Sequence, residues 1–300
     1  MTELSPDLTV IDTMLGGVSG LMAALLVRGP SPAVIDVGAE TSAAVVIAAI
    51  EAQDIGPADL AWIVLTHIHL DHCGATGALA RHFPNAQIVV HGRGARHLAE
   101  PDRLVTASHA VYGPQTYLYG GLAATDPVRI TVAEDGHRVI VGPGRELVML
   151  EAPGHARHHM AVLDEATGTL VAGDALGVSF DGCPLYPTLP PSDIDPVAGD
   201  ATLVRIAGIN PSALMISHFG FVAEPQAQVT CAREQLATVS QAVRAAWDRD
   251  PEVAAVATAI EAALPLGAAA LTADAQARWE LTQWAPANAH GLAGWAERTA

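Results

Sequence analysis

The run His67-Ile68-His69-Leu70-Asp71-His72 places four ionisable side chains within six residues, directly behind the apolar segment Trp62-Ile63-Val64-Leu65. Burying that many titratable groups costs stability unless they are solvated or bound. The run therefore asks for a fold in which a buried strand ends at an open, ligand-lined edge. Three more apolar runs end in the same way. Leu147 to Leu150 leads through Glu151-Ala152-Pro153-Gly154 into His155, Thr169 to Gly173 leads into Asp174, and Ala213 to Ser217 leads into His218. Four strands ending along one edge would converge His67, His69, Asp71, His72, His155, Asp174 and His218 on rigid supports, as a metal site needs.

Alternation in an extended segment points His67, His69 and Asp71 the same way and His72 elsewhere. One segment can then serve two adjacent ions. The simplest division gives His67, His69 and His155 to the first ion and Asp71, His72 and His218 to the second, with Asp174 bridging both. Without thiolate donors, such a site suits two divalent ions, foremost zinc, and also admits iron or manganese. Two such ions against two carboxylates and a bridging hydroxide leave one positive charge for a substrate oxyanion.

Other residues sharpen the reading by what they lack. The chain has 15 cationic against 32 anionic side chains, a formal charge of −17, and every cation is Arg. Lysine Schiff-base chemistry is excluded, and the acidic balance disfavours nucleic acid and anionic membranes. Cys73, Cys183 and Cys231 are too scattered for a disulfide framework. Met1 to Thr9 shows no secretory pattern. The apolar stretches Met14–Val27 and Val253–Leu271 are too short or too interrupted to span a bilayer. The expectation is a cytoplasmic protein acting on a small molecule. No nucleophile elbow, Walker loop or dinucleotide fingerprint is present.

The first two thirds read as α/β sequence, with short β-like runs separated by helical patterns at about 41–53 and 74–82 and from Asp193 or Asp195 to about Ile206. Pro101–Pro127 and Gly177–Ser192 read as long irregular stretches. They carry Tyr112, Tyr117, Tyr119, Phe180 and Tyr186, either as functional loops or as surface insertions. From Glu224 the pattern turns Ala-rich and helical. The expected division is a catalytic domain over 1–222 and a helical C-terminal extension over 223–300, serving as a lid, a homodimer surface or both.

Near the metal donors, His158 and His159 are candidates to protonate a leaving group or hold an oxyanion. Packing or a solvated turn is the plainer role for His158 and an equally weighted one for His159, which is retained beside Asp71 and Asp174 as a catalytic candidate. Arg157 reads as a carboxylate grip or as an exposed side chain. Cys73 reads as a small buried residue rather than a nucleophile.

Thr66 to His72, Pro153-Gly154-His155, Gly173-Asp174 and Ser217-His218 resemble the motifs of the metallo-β-lactamase superfamily over about residues 8–222. Asp36 resembles its early motif aspartate, which orients metal-site groups. The resemblance implies a four-layer αββα sandwich, of α/β class, with the site at one edge of the packed sheets. It is specific for fold and weak for substrate. Asp174 argues against β-lactamase activity, since those members generally lack the bridging aspartate. Flavo-diiron relatives usually carry Glu where His69 stands. Glyoxalase II relatives hold glutathione partly through Lys, absent here. Acyl-homoserine lactonases usually carry a Tyr where Gly177 stands, and nuclease relatives show a basic exosite. The expected function is a binuclear hydrolase of a small ester, thioester or lactone, with a bridging hydroxide as nucleophile. The alternative is a di-iron redox or oxygen-handling protein.

Overall fold

The computed structural model describes residues 5–266, 271–282 and 284–300. Residues 1–4 of the N-terminal stretch and 267–270 of the Val253–Leu271 stretch lie outside them. Two six-stranded sheets pack face to face. The first runs in spatial order β1 (Leu8–Asp12), β2 (Ala23–Val27), β3 (Ala33–Ile35), β4 (Trp62–Val64), β5 (Gln87–His91) and β6 (Ile130–Ala133). It is antiparallel through β3 and parallel from β3 to β6. The second holds β7 (Arg138–Gly142), β8 (Arg145–Glu151), β9 (Met160–Asp164), β10 (Thr169–Val171), β11 (Ala213–Ile216) and β12 (Gly220–Val222), with only β10 and β11 parallel.

Strand periodicity decides what fills each layer. Leu25, Val27, Ile35, Val64 and Val89 face Leu147, Met149, Met160, Val162 and Met215 in a core between the sheets. Their neighbours Leu26, Val34, Ile63, Leu65, Leu150, Leu170 and Leu214 belong to a second buried cluster under the helices. Strands buried on both faces read as continuous apolar runs, and each fully buried Leu or Val contributes about 1.5–3 kcal/mol. The helices in chain order are α1 (Ala43–Glu51), α2 (Leu70–Cys73), α3 (Thr76–His82), α4 (Gly92–Ala99), α5 (Asp102–Tyr112), α6 (Thr116–Tyr119), α7 (Pro196–Ile209), α8 (Pro225–Trp247), α9 (Val253–Ala263), α10 (Ala273–Thr282) and α11 (Trp284–Arg298). The result is the four-layer αββα sandwich with a helical C-terminal extension.

Local chemistry sets the helix ends where it is strongest. Asp195 accepts from the Val197 and Ala198 amides at 3.0 and 3.2 Å, Pro196 opens α7, and Asn210 closes it in the left-handed region at φ 53°. Val229, Leu236, Val239 and Val243 of α8 share one buried cluster with Leu203 and Ile206 of α7, so the C-terminal helices are packed onto the sandwich. The 101–127 stretch departs from the irregular segment expected, because it folds into α5 and α6. No residue of α5 is buried, so its sequence carries no strong apolar stripe to betray the helix. The 177–192 stretch does lack regular elements, apart from bridges from Val178 to Tyr186 and to His218. No helix among the described residues is long and apolar enough to cross a membrane.

Candidate metal centre

The site is assembled from strand ends around one buried carboxylate. Asp36, just past β3, is 1 % exposed and held at φ 56°. A non-glycine residue in that region stores strain that its surroundings must offset. They do so with hydrogen bonds. Asp36 accepts from the Thr66 amide at 2.9 Å, from Thr66 Oγ1, from Ser217 Oγ at 3.1 Å and from His72 Nδ1 at 2.9 Å. One side chain thus ties together the ends of β4 and β11 and the start of α2.

Two sets of candidate donors result. In the first, His69 Nδ1 lies 3.1 Å from His67 Nε2 and 2.9 Å from His155 Nε2. His67 Nδ1 lies 3.0 Å from Thr66 Oγ1, and His155 Nδ1 donates to the Thr188 carbonyl at 2.9 Å. In the second, His218 Nε2 lies 3.4 Å from Asp71 Oδ2, and His218 Nδ1 donates to the Leu21 carbonyl at 2.5 Å. Asp174 stands between the sets. Its Oδ2 is 3.5 Å from His155 Nε2, and its Oδ1 is 3.4 Å from His72 Nε2 and 3.7 Å from His218 Nε2. Three overlapping groups within metal-ligating reach emerge: His67–His69–His155, His67–His72–Asp174 and Asp71–His72–His218.

All seven expected donors therefore converge, though one part of the geometry differs from expectation. The extended segment ends at His69, and Asp71 and His72 sit in the short helix α2. The helical turn, not strand alternation, sets the direction of these two side chains, and the His72 ring stays 3.9 Å from that of His67, centroid to centroid.

The electrostatics divide along the same line. Burial, then the neighbouring histidines, holds His67 well below its ordinary value, and His69 and His155 are also lowered, with burial the largest cause. These rings stay neutral and keep a lone pair to offer. At His72 and His218, burial works downward but is outweighed by Asp174 and the other site carboxylates, so both are raised. Burial pushes Asp71 upward, but His72 and the hydrogen bond with His218 hold it down at about 2. Asp174 is lowered in the same sense by His72, His218 and His155 against the effect of burial.

The donors fit divalent cations on physical grounds. Asp71 Oδ1, Asp174 Oδ1 and His72 Nε2 are buried without a hydrogen-bond partner, a costly state that a bound cation relieves. Imidazole nitrogens 2.9–3.1 Å apart likewise need a proton or a cation between them.

Nearby residues take varied places. His159 is 1 % exposed and its Nε2 accepts from the Asp174 amide at 3.1 Å. Gly173, at φ 54°, makes room for it, since a Cβ there would lie 2.6 Å from His159 Nε2. That contact orients the backbone of Asp174. Burial, then His155, lowers His158 to about 3. Arg157 is mostly exposed, 4.0 Å from Asp193. Cys73 is buried, with Sγ directed to the Ile68 carbonyl at 3.4 Å. Tyr112 stacks on Tyr119 at 4.3 Å and reaches the site cavity, whereas Tyr117 is exposed and Tyr186 packs edge-on against Trp279. Sequence reading missed Thr188 and Asn288, which line the same cavity as His69, Asp71, His155 and Asp174. Neither lies near a motif.

A family model of the metallo-beta-lactamase superfamily matches residues 20–218. The chain belongs to that superfamily. It is 33 % identical over 167 residues to a metallo-beta-lactamase fold-containing protein of Sulfurisphaera tokodaii, covering 54 % of this chain and 62 % of that protein. It is 31 % identical over 124 residues to the N-acyl homoserine lactonase AttM of Azorhizobium caulinodans, covering 39 % of this chain and 40 % of the lactonase. The chain thus matches less than two thirds of either relative's length. The crystal structure of an archaeal metallo-beta-lactamase superfamily protein from Sulfolobus tokodaii superposes with a TM-score of 0.74 at 25 % identity, covering 96 % of this chain and 99 % of that one. A metallo-beta-lactamase family protein from Thermus thermophilus gives 0.69 at 18 %, covering 99 % and 95 %, a likeness of fold.

Proposed function

We propose that the protein is a binuclear metal-dependent hydrolase of a small ester, thioester or lactone. The observation that carries this reading is Asp174, whose two oxygens face one histidine set each. His67, His69 and His155 would hold one ion and Asp71, His72 and His218 the other, with Asp174 shared. When bound, such ions, foremost zinc, supply Lewis acidity and acidify a coordinated water. Asp36, Thr66, Thr188 and His159 hold the donors in register. The cavity beside them opens past His69, Tyr112 and Pro190 into a groove that also holds His97, Arg103 and His158. That groove is the approach for substrate. The partial likeness to a lactonase supports an acyl substrate.

The test is a panel of small esters, thioesters and lactones offered to zinc-loaded protein. Hydrolysis of at least one class is expected, and a loaded protein inert across the panel would sink the proposal. Metal analysis and an optical spectrum of anaerobically purified protein decide the iron-based alternative. Colourless protein with two zinc ions rules that alternative out.

A further inference from the structure

The C-terminal helix α11 reaches the metal centre through one buried amide. Asn288 is 1 % exposed. Its Oδ1 accepts from the Leu189 amide at 2.6 Å, and its Nδ2 donates to the Pro187 carbonyl at 2.9 Å. A primary amide carries a donor and an acceptor side by side and so can do both at once. The two peptide groups it grips flank Thr188, whose own carbonyl accepts the Nδ1–H of His155 at 2.9 Å. A carbonyl only accepts, so the proton is fixed on Nδ1 and the lone pair on Nε2. That Nε2 is the atom facing His69 Nδ1 and Asp174 Oδ2.

The segment has little freedom to slide. On the α11 side, a Cβ at Gly291 would lie 1.9 Å from the Leu189 oxygen, and on the other side a Cβ at Gly177 would lie 2.1 Å from the Tyr186 oxygen. The two glycines let flanking backbone close on residues 186–190 from both sides. An apolar residue at 288 would leave a buried N–H and a buried carbonyl unpaired, losing the clamp and adding a desolvation cost.

We infer that Asn288 is a positioning residue for the His67–His69–His155 set, fixing the Thr188 carbonyl and, through it, the tautomer and aim of His155. The inference rests on the binuclear reading proposed above. It makes the C-terminal extension part of the metal centre's frame as well as a wall of its cavity.

The test uses the full chain, stripped of metal, as Asn288→Ala, Asn288→Asp and a control, Ile50→Ala, a core truncation on α1, which packs against α3 and β1. Zinc is titrated against a chromophoric chelator, and the His155 ring nitrogens are followed by long-range ¹H–¹⁵N NMR without metal. Asn288→Ala is expected to weaken one of two zinc-binding events by about 10- to 100-fold, the size typical of groups that orient ligands. The other event stays close to wild type. Asn288→Asp keeps the acceptor for Leu189 but not the donor for Pro187, and falls between. In the metal-free spectrum His155 passes from a single Nδ1–H tautomer to a mixture in Asn288→Ala. Unchanged zinc affinity in Asn288→Ala, an equal loss of affinity in Ile50→Ala at matched thermal stability, or a retained Nδ1–H tautomer would each overturn the inference. A wild type that binds no zinc would remove the proposed function, and the NMR comparison would still decide the role of Asn288.

Discussion

The two candidate ligand sets are neighbours built on opposite principles. The His67–His69–His155 set is all imidazole, held neutral by burial and its like neighbours, and aimed by hydrogen bonds to Thr66 and Thr188. The Asp71–His72–His218 set is ionic, with raised histidines balanced against lowered carboxylates. Its anchors are Asp36 and the Leu21 carbonyl, deep in the sandwich. The first set thus depends on an irregular segment clamped from outside, and the second on the sheet ends themselves. The difference teaches that a ligand set can be rigid for two reasons, and that each reason fails under a different perturbation.

Asp174 should be the point where the distinction collapses, because it serves both sets. Asp174→Ala is expected to lower kcat on the order of 10²–10³-fold, a loss comparable to removing a preorganised polar group at a reacting centre. It should also cut the zinc content of purified protein, measured by metal analysis. A variant that retains two zinc ions and near-normal turnover would break the shared-carboxylate picture.

Asp36→Asn separates the sets. The amide keeps the shape and can still accept from the Thr66 amide, but it no longer offers a carboxylate to His72 Nδ1. Loss of such a carboxylate partner typically costs 10- to 100-fold in metal affinity, so zinc binding at the Asp71–His72–His218 set should weaken by about that factor. The first set touches Asp36 only through Thr66 and should change less. Chelator competition resolves the two events, and equal weakening of both would erase the contrast.

Protons sharpen the comparison in the metal-free protein. His67, His69 and His155 have folded values below the unfolded one of about 6.5, so in acid the unfolded chain takes up protons first. Their contribution to stability is present above about pH 6.5 and is lost as pH falls towards the folded values. His72 and His218 behave in the opposite sense, stabilising below about pH 6.5 and losing that contribution as pH rises through their raised folded values. Each histidine supplies a slope of about 1.4 kcal/mol per pH unit within its window. Denaturant melts of metal-free protein should therefore show His69→Ala flattening the acid limb and His218→Ala flattening the neutral-to-alkaline limb. Identical pH profiles for the two variants would refute the division.

How much of this was readable in the sequence follows the same line. The sandwich and the donors at its strand ends were legible because β4, β8, β10 and β11 are apolar runs punctuated by a donor, and burial on both faces leaves no polar alternation to confuse them. Strands β1, β7 and β12 carry a weaker signal: β1 is only partly buried, β7 is exposed at alternate positions and β12 has only three residues. The helical path of α5 was hidden by its exposure. Asn288 was beyond reach for a different reason. It acts on Leu189 across 99 residues of sequence through one side-chain amide, and no periodicity or motif records such a contact. The set anchored on the sheets was written in local pattern, whereas the frame supplied by α11 exists only in three dimensions.

The smallest effect is expected at the residue that joins the sets along the chain. Cys73 follows His72 directly, is fully buried, and directs Sγ to the carbonyl of Ile68 between His67 and His69. Burial, then Asp71 and Asp36, pushes its thiol well above the ordinary range, so it is a poor source of thiolate. Its place is that of a small packing side chain with a weak donor. Cys73→Ala removes one sulfur atom and should cost about 1 kcal/mol in a denaturant melt, in keeping with a modest core truncation. Both zinc affinities and kcat should stay at wild-type values. A large loss of turnover with intact zinc binding would instead make Cys73 a participant in the chemistry, which neither its burial nor its ionisation supports.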